Sequence, residues 1–416
     1  MISKENTPPL RKRPRFAVVG SGPAALMAAE VLAAGTAGRG GAVTVFEKRR
    51  SPGRKLLVAG SSGLNITYDA PSLEEFVDFY GESGPRLRPM LQAFGPADWR
   101  RFIEGILGIR TFKGTSRRWF VEAEGMKAAG LLKAWTEHLR ALGVNFEFDR
   151  ELTGFDPDPQ GGVLLTFADG TQWLGDRAVL ALGGGSWEPA EKPLRWPAMF
   201  ERRGIGFKGF EPSNVGYQVA WPEALLKEAD RKPIKNARLT TARGERAGEL
   251  LITSYGLEGT PVYFTGCTGP ARLDLKPDVE EAALLERMQG GKENLSPIRR
   301  VQKLAGLCEA SRALMFHLTP ESQRGDLRAL AYRIKNLPLE LGAPQPLDEA
   351  ISSSGGVLWS ELDADLALVR VPRIHLAGEM IDWDAPTGGF LIQACVAQGA
   401  WAGKRALSLE LRGTPA

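Results

Sequence analysis

Residues 15–25, RFAVVGSGPAA, join a short apolar run to two glycines and then to the alanine-rich PAALMAAEVLAA. The run Arg15–Gly20 predicts a short buried strand and Pro23–Ala34 a helix, which the glycine-rich GTAGRGG ends. Between them, Gly20, Gly22, Pro23, Ala24 and Ala25 form a G-x-G-x-x-A turn. Its first glycine permits the tight turn, its second lets a pyrophosphate approach the backbone, and its small third residue lets helix pack on strand. Such a turn is a weak signal by itself. What strengthens it is AVTVFEK, a second predicted strand ending at Glu47 and Lys48, where a carboxylate can accept hydrogen bonds from ribose hydroxyls.

The chain has 416 residues, 43% apolar and 25% charged, which is enough for two or three packed units and a large ligand. Its apolar runs are strand-sized, which argues against a membrane span and for a cytoplasmic protein. The formal net charge is +4, but residues 1–15 alone carry five Lys or Arg against one Glu, so the body is neutral. Residues 1–14 read as a solvated basic disordered arm, and the neutral body argues against a nucleic-acid partner. Cys267, Cys308 and Cys395 are too few and too scattered for a disulfide framework or a zinc cluster, and three histidines do not suggest a metal site.

Further along, Leu73–Leu142 is mostly helical in pattern, notably MKAAGLLKAWTEHLRALG. Two β runs follow, VNFEFDRELTGF and GGVLLTFADGTQWLGDRAVLAL, the second turning at Asp169-Gly170. After GGGSW the composition changes to short strands and turns, then from Asp278 to about Leu341 to charged helical pattern. SSSGGV at 352–357 marks a return, and PRIHLAGE and a long amphipathic helix close the chain. The expected divisions are the arm (1–14), a first dinucleotide-binding part (15–190), an inserted β unit (191–277), a helical subdomain (278–349) and a second dinucleotide-binding part (350–416).

The closing segment decides between nicotinamide and flavin. RIHLAGEMIDWDAPTGGFLIQACVAQG gives a strand ending at Gly378 and Glu379, then Asp382, then paired glycines opening a helix. A carboxylate there can bind ribityl hydroxyls, and free N–H groups at Gly388, Gly389, Phe390 and Leu391, with the helix dipole, can stabilise negative charge on the N1–C2=O edge of a reduced flavin.

These motifs, VVGSGPAALMAAE, FEKRRSPGRKLLVAGSSGLNIT, VLALGGGSW and LAGEMIDWDAPTGGFLIQACVAQG, resemble in order and content the bacterial NAD(P)/FAD-dependent oxidoreductase family of conserved flavoproteins that includes aminoacetone oxidase-like enzymes. The resemblance covers nearly the whole chain from Arg15. It implies an α/β fold: a glutathione-reductase-type FAD-binding Rossmann-like domain with an inserted β-barrel-like unit and a helical subdomain. It also implies that Gly53–Thr67 runs beside the FAD, with Arg54 and Lys55 near phosphate or ring, Gly60, Ser61, Ser62 and Gly63 leaving room, and Asn65 and Thr67 as polar contacts. Gly183 and Gly184 serve FAD from the middle motif. An Arg-Cys pair common in relatives is here Gly63-Leu64, which excludes a thiol mechanism at that point. Arg117, Arg118 and Trp119 read equally as substrate-side residues or as a solvated basic loop, and Tyr255 is implied to face the flavin cavity.

The expected protein is therefore an FAD-dependent oxidoreductase moving hydride between a small organic substrate and flavin N5, with Lys55, Asn65 and Tyr255 as candidate catalytic residues. No motif demands covalent attachment, so the FAD is expected to be non-covalent. An amine-type oxidase or dehydrogenase is the favoured reading, with NAD(P)H or O2 as redox partner. A reductase of activated C=C bonds is the alternative, and a flavoprotein that binds or modifies RNA is the alternative of another class. A single dinucleotide motif argues against a separate NAD(P)H domain.

Overall fold

The apolar run Arg15–Val19 forms the centre of a parallel sheet. Strands Ala42–Phe46 and Arg177–Leu180 flank it, Asn145–Glu147 lies beyond the first, and Val371–Leu376 beyond the second. A short antiparallel strand, Ala367–Leu368, closes the latter edge. The computed structural model describes residues 13–60, 63–114, 117–122, 128–189, 191, 193–290 and 295–412. Two units emerge: one from residues 1–185, 189–210 and 354–416, the other from 186–188 and 211–353.

In the first unit, helix Pro23–Thr36 packs along the last helix, Phe390–Arg412, and glycines let the two backbones touch. A methyl group added at Gly399 would sit 2.1 Å from the Ala24 carbonyl oxygen, and one at Gly403 2.9 Å from that of Ala28. The last helix is buried along most of its first half rather than on one stripe, so it is a core helix and not the amphipathic one its sequence suggests. Trp99 and Trp135 are fully buried beside it in the same core, with ring centroids 5.1 Å apart.

Two expectations change here. Within 73–142, helices Leu73–Asp78, Gly84–Ala93, Pro96–Gly105 and Ala128–Ala141 are joined by strands Thr111–Lys113 and Arg118–Val121, which pair with each other and with Asn65–Tyr68. The threonine and aromatic residues of that stretch favour a pleated surface over a helix. The run VNFEFDRELTGF breaks at Asp149, whose φ is +57°. Its first half joins the parallel sheet, and its second opens a separate meander of Leu152–Pro157, Val163–Phe167 and Gln172–Gly175.

The chain leaves along Phe207–Ser213 and returns along Ser352–Val357, strands paired with each other. The second unit is a six-stranded antiparallel sheet, in the order Tyr217–Gln218, Gly256–Gly259, Gly244–Thr253, Pro233–Thr241, Gly269–Asp274 and Leu337–Leu341. Helices Glu281–Gln289, Pro297–Leu304, Glu309–Leu318 and Leu327–Lys335 bury Leu284, Val301, Leu314 and Leu330 in the same core as Leu239 and Leu250 of the sheet. Strands and helices expected as separate subdomains thus share one core. Residues 193–210, including helix Trp196–Glu201, sit in the first unit, where Trp196 and Phe200 are buried.

Helix propensity favours alanine over glycine by about 1 kcal/mol, but a methyl group at Gly399 meets backbone. We expect Gly399→Ala to lower stability by roughly 1–3 kcal/mol in denaturant unfolding. The matched Gly105→Ala, at an exposed helix end with no atom within 4 Å of the new carbon, should be neutral or stabilising.

Candidate active site

Parallel strands bring their carboxyl ends to one edge, and the edge of an open parallel sheet is where such folds bind ligands. Four neighbouring strands deliver the motif residues there. Gly20 and Gly22 follow the first strand, Glu47 and Lys48 the second, Gly183 and Gly184 the Arg177–Leu180 strand, and Gly378 and Glu379 the Val371–Leu376 strand.

The two glycines of the first turn have different reasons to be glycine. Gly20 has φ +109°, and a side-chain carbon on it would lie 2.2 Å from the Ala181 carbonyl oxygen, so the fold itself requires glycine. Gly22 has an ordinary φ of −77°, and a side-chain carbon would find no atom within 4 Å. Among the described residues nothing demands glycine at Gly22, and the space beside the amino end of helix Pro23–Thr36 is open, as the approach of a pyrophosphate would require.

Glu47 is buried, and Ser21 Oγ donates to its Oε2 while the Arg49 N–H donates to Oε1 at 2.9 Å. Burial raises its pKa above the usual carboxylate value, against the pull of those two hydrogen bonds and of Lys48 and Arg49. Ser21 also accepts from the Gly53 N–H at 3.0 Å, which ties the G-x-G turn to the start of helix Arg54–Ala59. Lys48 is exposed, and Arg54 is half-buried at the helix start.

One turn into that helix, Lys55 Nζ donates to the Gly184 carbonyl at 2.7 Å. Lys55 also pulls down the pKa of Glu379, which burial raises and Asp384 raises further. The Lys55 charge thus partly offsets the penalty that burial places on the Glu379 carboxylate. Asn65 holds a buried Oδ1 with no hydrogen-bond partner among the described residues, an acceptor that a bound polar group would satisfy. Asp382 lies 3.9 Å from Lys208 Nζ through its carboxylate.

In three of the expected cofactor residues the side chain is engaged within the protein itself. Thr67 is fully buried and its hydroxyl donates to Gln393 Oε1 at 2.8 Å. The Ala25 side chain is fully buried in the core. Phe390 is packed among Tyr68, Phe76 and Phe79, its ring stacked 4.3 Å from that of Phe79, so only its N–H is presented at the helix start. Leu391 is half-buried one residue on. Gly388 and Gly389 carry φ values of +117° and +98°, and a side-chain carbon on Gly389 would lie 2.6 Å from the Thr67 backbone.

Tyr255 belongs to the second unit, on the turn between strands Gly244–Thr253 and Gly256–Gly259, where its hydroxyl donates to Glu258 Oε2 at 2.7 Å. It lines a cavity of about 400 Å³ with Asp230, Arg231, Thr253 and Glu258. Ser61 and Ser62 lie outside the described residues, as do residues 1–12 of the basic arm.

Sequence reasoning missed Ser21, Gln393 and Gln398, whose Oε1 accepts from the Gly378 N–H at 3.0 Å. The two glutamines did leave a trace, as polar residues inside an otherwise small and apolar helix. Tyr80, which donates to the Phe390 carbonyl at 2.8 Å, left none. Cys395 is buried beside Glu379 with its thiol pKa pushed well up, which makes it a packing residue.

Gly22→Val should leave the apoprotein within about 1 kcal/mol of the parent, because the new side chain enters open space, while abolishing retention of FAD. The readout is FAD released by acid per mole of folded protein; full retention would show that Gly22 borders no cofactor. For Glu47 the folded pKa is raised, so its contribution to stability is complete below the ordinary value of 4.5 and is lost as pH rises through the folded value. Glu47→Gln should therefore make the apoprotein more stable at neutral pH, an advantage that disappears under acid, yet weaken FAD about tenfold as a charge-assisted hydrogen bond becomes a neutral one. Urea midpoints against pH and apoprotein titration measure the two effects separately.

Comparison with known proteins identifies the family and the fold. The family described as HI0933-like protein Rossmann domain matches residues 14–405. The 3-dehydro-bile acid delta(4,6)-reductase of Clostridium scindens is 24% identical over 414 residues, covering 94% of this chain and 98% of that protein. Among solved structures, 3-ketosteroid delta1-dehydrogenase from Sterolibacterium denitrificans superposes with a TM-score of 0.53 at 12% identity, over 95% of this chain and 99% of that one. A flavocytochrome c3 fumarate reductase does so with a TM-score of 0.51 at 12% identity, over 96% of this chain and 78% of that one. At such identities the two structures establish the fold alone, whereas the family match runs almost from end to end. The protein belongs to the HI0933-like Rossmann-domain family and is an FAD-dependent oxidoreductase.

Proposed function

We propose that the protein reduces a carbon–carbon double bond conjugated to a carbonyl in a small organic substrate. One observation carries this reading: the likeness to the bile acid delta(4,6)-reductase extends over nearly the full length of both chains. FAD, when bound and reduced, supplies the hydride for the carbon β to the carbonyl. The chain must then hold the cofactor, accommodate the negative charge that develops at the substrate oxygen, and deliver a proton to the α carbon.

We assign the first task to the open turn at Gly22, to Glu47 and to the donors at Gly388–Leu391, with Lys55 and Asn65 at the polar edge of the ring. Lys55 is suited to this because its hydrogen bond to Gly184 holds its charge in place.

The amine-oxidising reading stands second, supported by the resemblance of the motifs to aminoacetone oxidase-like enzymes. The two readings differ in the direction of electron flow. Mixing dithionite-reduced protein anaerobically with a 3-keto-4-ene steroid should return the oxidised flavin spectrum. Mixing the oxidised protein with a primary amine should leave the spectrum unchanged. Bleaching by the amine, with no reoxidation by the enone, would reverse the order of the two readings.

A further inference from the structure

The turn after strand Val371–Leu376 carries Glu379, and side chains grip its backbone from both ends. The Gly378 N–H donates to Gln398 Oε1 at 3.0 Å, and the Gly378 carbonyl accepts from Trp383 Nε1 at 2.9 Å. The Ile381 N–H reaches the same carbonyl at 3.2 Å. The Glu379 N–H donates to the buried sulfur of Cys395. The Gly378 carbonyl and the Glu379 N–H are the two ends of one peptide unit, so that unit is held on both sides. Its plane sets the direction in which the Glu379 side chain leaves the backbone.

The same turn is pinned against the first helix. Gly378 has φ +83°, and a side-chain carbon on it would lie 3.0 Å from Ala24 Cβ and 3.6 Å from Cys395 Sγ. Ala24 follows Gly22 by two residues, so the turn that carries Glu379 is fixed beside the helix start where the open space at Gly22 lies. Trp383 is buried, and Gln398 is fully so. Gln398 spends its oxygen on Gly378, while its Nε2 has no hydrogen-bond partner among the described residues. A buried amide satisfied at one end only costs stability, and a methionine would fill a similar volume without an unpaired donor. What methionine cannot supply is the acceptor for Gly378.

We propose that Gln398 and Trp383 are positioning residues that fix the direction of the Glu379 carboxylate, so that it accepts hydrogen bonds from hydroxyl groups of bound FAD. Both act through the peptide between Gly378 and Glu379. The inference rests on FAD binding and not on the identity of the substrate.

A double-mutant cycle on FAD affinity separates positioning from general support of the fold. FAD is titrated into folded apoprotein of the parent, Gln398→Met, Glu379→Gln and the double variant. Gln398→Met should raise the FAD Kd about tenfold in the parent and no more than about twofold beside Glu379→Gln, because a misdirected carboxylate and an absent one lose the same bonds. Gln398→Glu offers an oxygen at the same reach on a carboxyl group that burial keeps neutral, and should bring the Kd back to within about threefold of the parent. Gln393→Met, on the same helix but bonded to Thr67, should cost the same factor with and without Glu379→Gln. Equal losses from Gln398→Met in the two backgrounds, no recovery in Gln398→Glu, or an equal coupling for Gln393→Met overturns the proposal. So does an unchanged Kd in Glu379→Gln, which would leave FAD binding itself intact. If Gln398→Met does not fold, Trp383→Phe takes its place in the cycle with the same expectation, since it keeps an aromatic ring and removes the N–H on the Gly378 carbonyl. None of these outcomes touches the enone reading, which the reoxidation experiment tests separately.

Discussion

The contact on which the first unit depends is the backbone-to-backbone approach of helices Pro23–Thr36 and Phe390–Arg412. Gly399 and Gly403 let the last helix lie directly on Ala24 and Ala28, and Gly389 lets its first turn lie on the backbone of Thr67. These glycines leave no room for even a methyl group, so packing locates both helix starts at once. The amino ends of two helices, each with unpaired N–H groups, thus come to one edge of the parallel sheet. The segments brought together are separated by more than three hundred residues, so the site exists only once this long-range contact is made.

The charges at that edge are arranged at a cost in stability. Burial raises the pKa values of Glu47 and Glu379, which means that each carboxylate is less comfortable in the folded apoprotein than in water. Lys55 partly offsets this for Glu379, and Ser21 and the Arg49 N–H do so for Glu47. Carboxylates with raised pKa values are typical of binding sites.

Much of the binding architecture was legible locally. A strand, a G-x-G-x-x-A turn, an alanine-rich helix and a second strand ending in an acid are short-range patterns, and each appears where its period and turn residues put it. The paired glycines before the last helix were equally readable, because left-handed backbone angles are written in glycine. The hairpin partner Arg118–Val121 was not, since a strand inside a helical neighbourhood is fixed by its pairing with Asn65–Tyr68. Nor was the shared core of the second unit, where helices and sheet have separate sequence patterns and meet only through packing.

The sequence by itself determined the class of protein, the parallel sheet with its dinucleotide turn, and the flavin as the ligand, because these depend on backbone conformation and on residue patterns a few positions long. Only the tertiary structure decided which of the two turn glycines the packing itself requires. Gly20 is pressed against Ala181, whereas Gly22 faces open space. It also decided that the side chains of Thr67, Ala25 and Phe390 are engaged within the protein, that Lys55 is held on Gly184, and that Arg118 rests on Gly388. Each of these is a contact between residues far apart in the chain. Its distance is set by how helices and strands pack, which no local spacing records.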